Sequence, residues 1–316
     1  MAIDTSLPLS IVARLRVDPS GASASHIGLA VRANGHKSGS MTAPPPADLA
    51  LAARREMPRE AHRIVDAARA RGIPLRLLGG LAVRAHCSEM AFCDRDYADL
   101  DMVGRRRQLK EITELFVDLG YAENLRPRMS TRGRQLQFAR PCEHADPGLG
   151  VAVHPDDHVD VFLDTFKMDH ELDLGDGFEL ADDYTLPATD LLLTKLQIHK
   201  TNEKDLRDIL TLLKDVELGE DVPGDRAADP IDVRSLAGQC ATDWGLYYDV
   251  VVNLERAQTA LERFELTVEE RARLRAALDL LGRAIEEAPK SRAWRRRAKV
   301  GTRRPWYNDV EDQDGE

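Results

Sequence analysis

Apolar residues recur at helical spacing between Pro58 and Arg71, where Ala61, Ile64, Val65 and Ala68 share one face and Gly72 stops the run. Pro58 suits a first helical turn, so order is predicted to begin there. Ile73 to Leu78 is a short apolar run that reads as a buried strand, and it leads into Gly79-Gly80 and a short helix over about 81–88. A second strand is read at Asp99-Leu100-Asp101-Met102-Val103. Leu109, Ile112, Leu115, Phe116 and Leu119 then mark an amphipathic helix closed by Gly120. Two further strands are read around Gln135 to Ala139 and His158 to Leu163. After Pro187 the pattern turns helical, with segments at about 188–199, 203–216, 232–262 (broken near Trp244) and 267–287. A strand-bearing half followed by a helical half predicts an α+β chain with a helical C-terminal domain.

Ahead of Pro58 the chain is rich in Ala, Ser, Gly and Pro and contains Pro44-Pro45-Pro46, so residues 1–57 read as a disordered arm, with Met41 or Met57 as alternative starts. The other boundaries are read at 58–186, 187–288 and 289–316, the last a basic and then acidic tail. With 43% hydrophobic and 31% charged residues and a formal charge of −10, the composition is that of an average globular protein. No apolar stretch of about 18 residues is present, which excludes a helical membrane span. The opening residues include Asp4 and lack a cationic start followed by an apolar run, so no secretory signal is read. Cys87, Cys93, Cys142 and Cys240 lack CxxC spacing and fit reduced thiols in a cytoplasm better than a disulfide scaffold or a zinc site.

Candidate chemistry centres on Gly79-Gly80 and on Asp99-x-Asp101. Residues i and i+2 of a strand face the same way, so the two carboxylates stand side by side, an arrangement that favours a hard cation such as Mg²⁺ or Mn²⁺. Asp160, in His158-Val159-Asp160-Val161-Phe162, joins them if the two strands are neighbours, with Asp164 as its rival. Such a trio suits metal-assisted displacement at phosphorus. A glycine turn lets phosphate oxygens approach backbone N–H groups, with Arg84 and Arg95 as nearby cations. The plain alternatives are a simple turn for the glycines and a solvated surface pair for Asp99 and Asp101. His154 and His158 are four apart, but Pro155 argues against the helix that would make a zinc pair of them.

The run Gly79-Gly80, Arg95, Asp99-x-Asp101 and Asp160 resembles the nucleotidyltransferase superfamily with the DNA polymerase β-like fold. Leu192-Leu193-Thr194-Lys195-Leu196 followed by Lys204-Asp205-Leu206-Arg207-Asp208-Ile209-Leu210 resembles its AbiEii/MenT-like toxin group. The resemblance covers roughly residues 60–215. It implies a nucleotidyltransferase-fold mixed sheet with flanking helices, Asp99, Asp101 and Asp160 as ligands of Mg²⁺ or Mn²⁺, and nucleotide contacts from Gly79, Gly80, Arg84, Arg95 and Lys195. Asp205 would act near the metal or the attacking hydroxyl. The chain has Gly79-Gly80 where many members have Gly-Ser, which removes one hydroxyl contact to phosphate. Read by themselves, Lys195 is equally a cation snorkelling from an apolar helix, and Asp205, three residues after Asn202, equally a helix cap.

The implied partners are a nucleoside triphosphate, a tRNA 3′ end as acceptor and a cognate antitoxin. Between Lys290 and Arg304 lie eight Lys and Arg residues and no acid, with Trp294 and Trp306 interleaved or close by. Such a stretch suits a phosphate backbone and base stacking. It equally suits a solvated cationic helix pairing with the acidic end at Asp309, Glu311, Asp312, Asp314 and Glu316. The rival readings are a small-molecule nucleotidyltransferase of the aminoglycoside or lincosamide type, which shares the Gly-Gly and Asp-x-Asp signals, and a non-catalytic nucleotide-binding module.

Overall fold

The computed structural model describes residues 47–93, 95, 97, 99–141, 153–174, 184–219 and 230–308. Helix α1 (Ala47–Ala70) carries the Ala61, Ile64, Val65 and Ala68 face into the core. It starts ahead of the expected boundary, and Pro58 stands inside it rather than in its first turn. The rest of the arm read at 1–57 lies outside the described residues. Strand β1 (Arg76–Leu78) follows and runs into α2 (Gly79–Ala85), α3 (Met90–Cys93), β2 (Leu100–Gly104) and α4 (Leu109–Asp118). Then come β3 (Ala122–Asn124), α5 (Leu125–Ser130), β4 (Gln135–Pro141) and β5 (Val153–Leu163).

These strands form one mixed sheet in the order β1-β2-β5-β4-β3. β2 lies parallel to β5, and the other neighbours are antiparallel. The sheet has one dry face: Met102, Val161, Leu136 and Phe138 are buried there, and Phe138 stacks on Phe116 of α4 with centroids 4.2 Å apart. The α+β class with a mixed sheet, flanking helices and a helical C-terminal part is therefore the one the chain adopts. The short pieces β3, α3 and α5 were not legible, because runs of three to six residues carry too few positions to show a period.

A two-stranded hairpin, β6 (Thr165–Lys167) and β7 (Glu171–Asp173), leaves the sheet. The chain then returns along β1, where the Leu77 N–H donates to the Tyr184 carbonyl (2.7 Å) and the Leu186 N–H to the Leu77 carbonyl (2.9 Å). This splint sets the start of α6 (Ala188–Leu196) beside the glycine turn. α7 (Glu203–Asp215) opens with a capping box in which Asn202 and Asp205 each accept from the other's backbone N–H. A short parallel pair, β8 (Leu218–Gly219) and β9 (Ile231–Asp232), precedes α8 (Val233–Thr242), α9 (Trp244–Ala260), α10 (Val268–Glu287) and α11 (Arg292–Ala298). The break expected near Trp244 is the junction at Asp243, whose carboxylate caps α9. Among the described residues the apolar core runs without interruption from α1 through the sheet to α10.

The cysteines depart from expectation. Cys87 and Cys93 form a disulfide, with Cα atoms 6.6 Å apart, across the turn between α2 and α3. Six residues of separation gave no motif; the turn brings the sulfurs together. Cys240 is a buried free thiol, and Cys142 lies outside the described residues. Among the described residues no helix is long and apolar enough to cross a membrane.

Phe116 is fully buried against Phe138, so Phe116→Ala should cost about 3–5 kcal/mol of stability. A urea unfolding curve gives the check, as a lowered midpoint at unchanged slope.

Candidate functional site

The open face of the sheet carries a row of polar side chains in register. Asp101 on β2 pairs with Asp160 on β5, Asp160 with Gln137 on β4, and Gln137 with Asn124 on β3. Directly paired residues share a face, and their sequence neighbours Leu100, Met102, Val159, Val161, Leu136 and Phe138 take the other. Asp99 and His158 project on the same side, two residues before Asp101 and Asp160. Carboxylates about sixty residues apart along the chain thus become neighbours across one parallel pair.

The glycine turn closes one end of this row. Gly79 has φ +72°, a conformation that side-chain-bearing residues avoid, and a Cβ there would run into the Asp101 carboxylate. The two motifs singled out in the sequence are therefore in contact. A Cβ on Gly80 would meet the Arg95 guanidinium, which a flexible side chain can relieve by swinging aside. A serine at 80 would thus displace Arg95, giving the missing hydroxyl a structural counterpart. Arg95 and Arg84 both stand over the Tyr97 ring, at 4.3 and 5.4 Å from its centre.

Facing the carboxylates, Lys195 of α6 reaches Asp208 Oδ2 (2.9 Å) and Asp205 Oδ1 (3.2 Å) of α7. Arg95 makes a forked pair with Asp208, donating from Nη2 at 2.8 and 3.0 Å and from Nε at 3.2 Å. Lys195 is not snorkelling: its side chain is 13% exposed, and although burial pulls its pKa down, Asp208 and Asp205 outweigh this and hold the ammonium charged. Asp205 caps α7 with one oxygen, as the plain reading had it, and its other oxygen meets Lys195. Asp208 is the more deeply engaged of the two, because it joins both cations.

Asp160 is held on both oxygens. Gln135 and Gln137 each donate an Nε2–H to Oδ1 at 3.1 Å, and His158 Nε2 lies 3.0 Å from Oδ2. Asp99 is more open, with its side chain 58% exposed and Oδ1 4.0 Å from His158. Asp164, the rival of Asp160, lies instead beyond the end of β5, 3.6 Å from Arg105. Gln135, Gln137 and His158 are the members the sequence reading did not assign, whereas Asp208 shares a face with Asp205 already in the helical spacing. The alternation Gln135-Leu136-Gln137-Phe138 is a period-2 signal that could have placed the two glutamines on the polar face. His154 has no described side chain, and the backbone there is strand rather than helix.

The electrostatics are set by crowding of like charge. Burial, then Asp160 and Asp99, push the Asp101 carboxyl up to about 7, against the pull of Lys195 and His158. Five carboxylates (Asp99, Asp101, Asp160, Asp205, Asp208) meet Lys195 and Arg95 here. Lys195 and Arg95 are already engaged with Asp205 and Asp208, which leaves Asp99, Asp101 and Asp160 short of positive charge. Hard oxygen donors with a suppressed ionisation suit a divalent cation. Among the described residues no three such side chains are closed into a finished cage. Asp99 would have to turn inward and Asp160 to exchange its His158 contact.

No protein-family model matches this chain, and no curated protein does. Among solved structures, it is similar to one described as the solution structure of antibiotic-resistance factor ANT(2'')-Ia. That likeness has 13% identity and a TM-score of 0.28 and covers 79% of this chain and 97% of the other. It is also similar to an antigenic nucleotidyltransferase-like protein from Paracoccidioides brasiliensis, at 15% identity and a TM-score of 0.31, over 75% and 95% of the respective chains.

A carboxyl that holds its proton to about pH 7 when folded, but releases it near 3.8 when unfolded, binds more protons in the folded state between those values. Stability of the metal-free protein should therefore fall as pH rises through that window, by an amount on the order of a few kcal/mol. Asp101→Asn should remove that part of the slope. Urea unfolding with a chelator present, at steps from pH 4 to 8, measures it.

Proposed function

We propose that this protein is a metal-dependent nucleotidyltransferase that moves a nucleotide from a nucleoside triphosphate to an acceptor hydroxyl with release of pyrophosphate. The observation that carries the reading is the pairing of Asp101 with Asp160 on one sheet face, pressed against the Gly79 turn. Asp99, Asp101 and Asp160 are the residues that would hold Mg²⁺ or Mn²⁺. Bound there, the metal supplies charge for the triphosphate and lowers the cost of ionising the acceptor hydroxyl.

The chain's own groups have separate tasks in this reading. Backbone N–H groups of the Gly79-Gly80 turn approach phosphate oxygens where a side chain would block them. Lys195 and Arg95 are the phosphate cations, aimed by Asp208 and Asp205 until a triphosphate competes for them. Arg84 lies further out, across Tyr97, at the edge of the same site. Gln135, Gln137 and His158 orient Asp160, so that its carboxylate does not rotate as charge builds beside it.

For the acceptor, a tRNA 3′ end is favoured over an aminoglycoside- or lincosamide-type small molecule by the exposed cationic stretch after Lys290, which a small acceptor does not require. A module that binds nucleotide without turnover would have no need to keep Asp101 destabilised beside Asp160.

Asp99→Ala and Asp101→Ala should each lower pyrophosphate release by about 10²-fold or more, with the circular dichroism spectrum unchanged. Lys195→Ala should raise KM for the triphosphate as well as lowering kcat. Labelled nucleoside triphosphates offered with total tRNA or with a panel of aminoglycosides and lincosamides decide the acceptor. Full transfer by a folded Asp101→Ala protein would refute the site.

A further inference from the structure

The chain has three tryptophans, and all three line one cavity of about 470 Å³ in the helical half. Trp244 opens α9, Trp294 lies on α11, and Trp306 with Tyr307 sits on the strap that follows. The strap is fastened by a buried network. Asp249 accepts from Trp306 Nε1 (3.0 Å), from His170 Nε2 (2.7 Å) and from His199 Nδ1 (2.8 Å), and His199 stacks on Tyr307 at 3.7 Å. A Cβ on Gly245 would stand 2.7 Å from the Trp306 carbonyl, so the strap lies as close as a glycine allows. Arg297 spans the mouth, covering Trp244 at 4.9 Å and donating to the Gly301, Arg304 and Pro305 carbonyls. The aromatic walls are thus held in place before any ligand arrives.

Charge runs along the outside of the same wall. Trp294 and Arg297 turn inward on α11, whereas Arg292, Arg295, Arg296 and Lys299 are exposed, as are Arg303 and Arg304 on the strap. Three carboxylates line the cavity: Asp169 and Asp243 are taken up by backbone N–H groups of His199 and of Gly245 and Leu246, and Glu171 pairs with Arg134 at 3.5 Å. A cationic ridge beside an aromatic cavity matches a strand whose phosphates lie outside and whose base enters.

We infer that the α11–strap region is a single-stranded nucleic-acid site, with one unstacked base held in the tryptophan cavity and the flanking phosphates on the arginine ridge. The cavity wall is tied to the proposed nucleotide site through α6: the His170 N–H donates to Gln197, two residues past Lys195, at 3.0 Å. As a dock for the acceptor the site rests on the nucleotidyl-transfer reading; as a binding site it is tested apart from it.

The probes are a 12-mer of single-stranded oligoadenylate, a ribose-phosphate 12-mer without bases, heparin and spermidine, each titrated into the full-length protein. Because every tryptophan lines the cavity, intrinsic fluorescence reports on it directly. Oligoadenylate should quench the emission, and the abasic strand and heparin should not. Trp306→Ala, or Trp294→Ala should the first variant fail to fold, should weaken oligoadenylate binding by about 5- to 150-fold without changing its salt dependence. Arg295→Ala with Arg296→Ala, both exposed, should instead lower the log–log salt slope by about 0.7 per arginine. Equal binding of the abasic strand, quenching by spermidine alone, or no binding at all would overturn the proposal. Asp101→Ala should bind oligoadenylate as wild type does, so loss of transfer and loss of this site are separable.

Discussion

Two carboxylates stand side by side on adjacent parallel strands, one of them against a turn that admits no side chain, and the site is built around them. Everything around Asp101 and Asp160 answers that repulsion. Two glutamines and a histidine occupy Asp160, the Asp101 carboxyl is pushed up to about 7, and Lys195 stands within electrostatic reach. Buried like charges are tolerated only where partners or function compensate them, and here the compensation by protein groups stops short.

The cations opposite are restrained in turn. A buried lysine and a part-buried arginine without partners would each carry a large desolvation cost, and Asp208 offsets both. Removing Asp208 would leave Lys195 with Asp205 and take from Arg95 its forked partner. The capping box at Asn202 and Asp205 sets the first turn of α7, so the same residues that begin the helix also aim the ammonium of Lys195. Local helix chemistry and site geometry are one piece of structure here.

The helical half does more than cover the sheet. Its apolar core is continuous with that of the sheet, and the splint of residues 184–186 along β1 fixes where α6 begins. From the end of α6 a chain of polar contacts through Gln197, His170, Asp249 and His199 reaches the aromatic strap. A run of hydrogen bonds thus joins the end of α6 to the tryptophan cavity.

Local pattern in the sequence determined the element types, the α+β class, the break near Trp244 and the faces of the long helices, because periods of 3.6 and 2 record which side of an element is dry. It also set Asp99 two residues before Asp101, although Asp99 stands ahead of β2 and is exposed. Short pieces such as β3 and α5, the start of α1 ahead of Pro58 and the joining of Cys87 to Cys93 lay beyond it, because turns and packing decide these rather than periodicity. Tertiary structure alone decided that β2 and β5 are neighbours in the register that sets Asp160 opposite Asp101, that Asp208 rather than Asp205 is the hub for Lys195 and Arg95, and that Gln135, Gln137 and His158 surround the third carboxylate. Each of these depends on which strand lies beside which and in what register, a choice made by burial of the whole opposite face and invisible to any single segment.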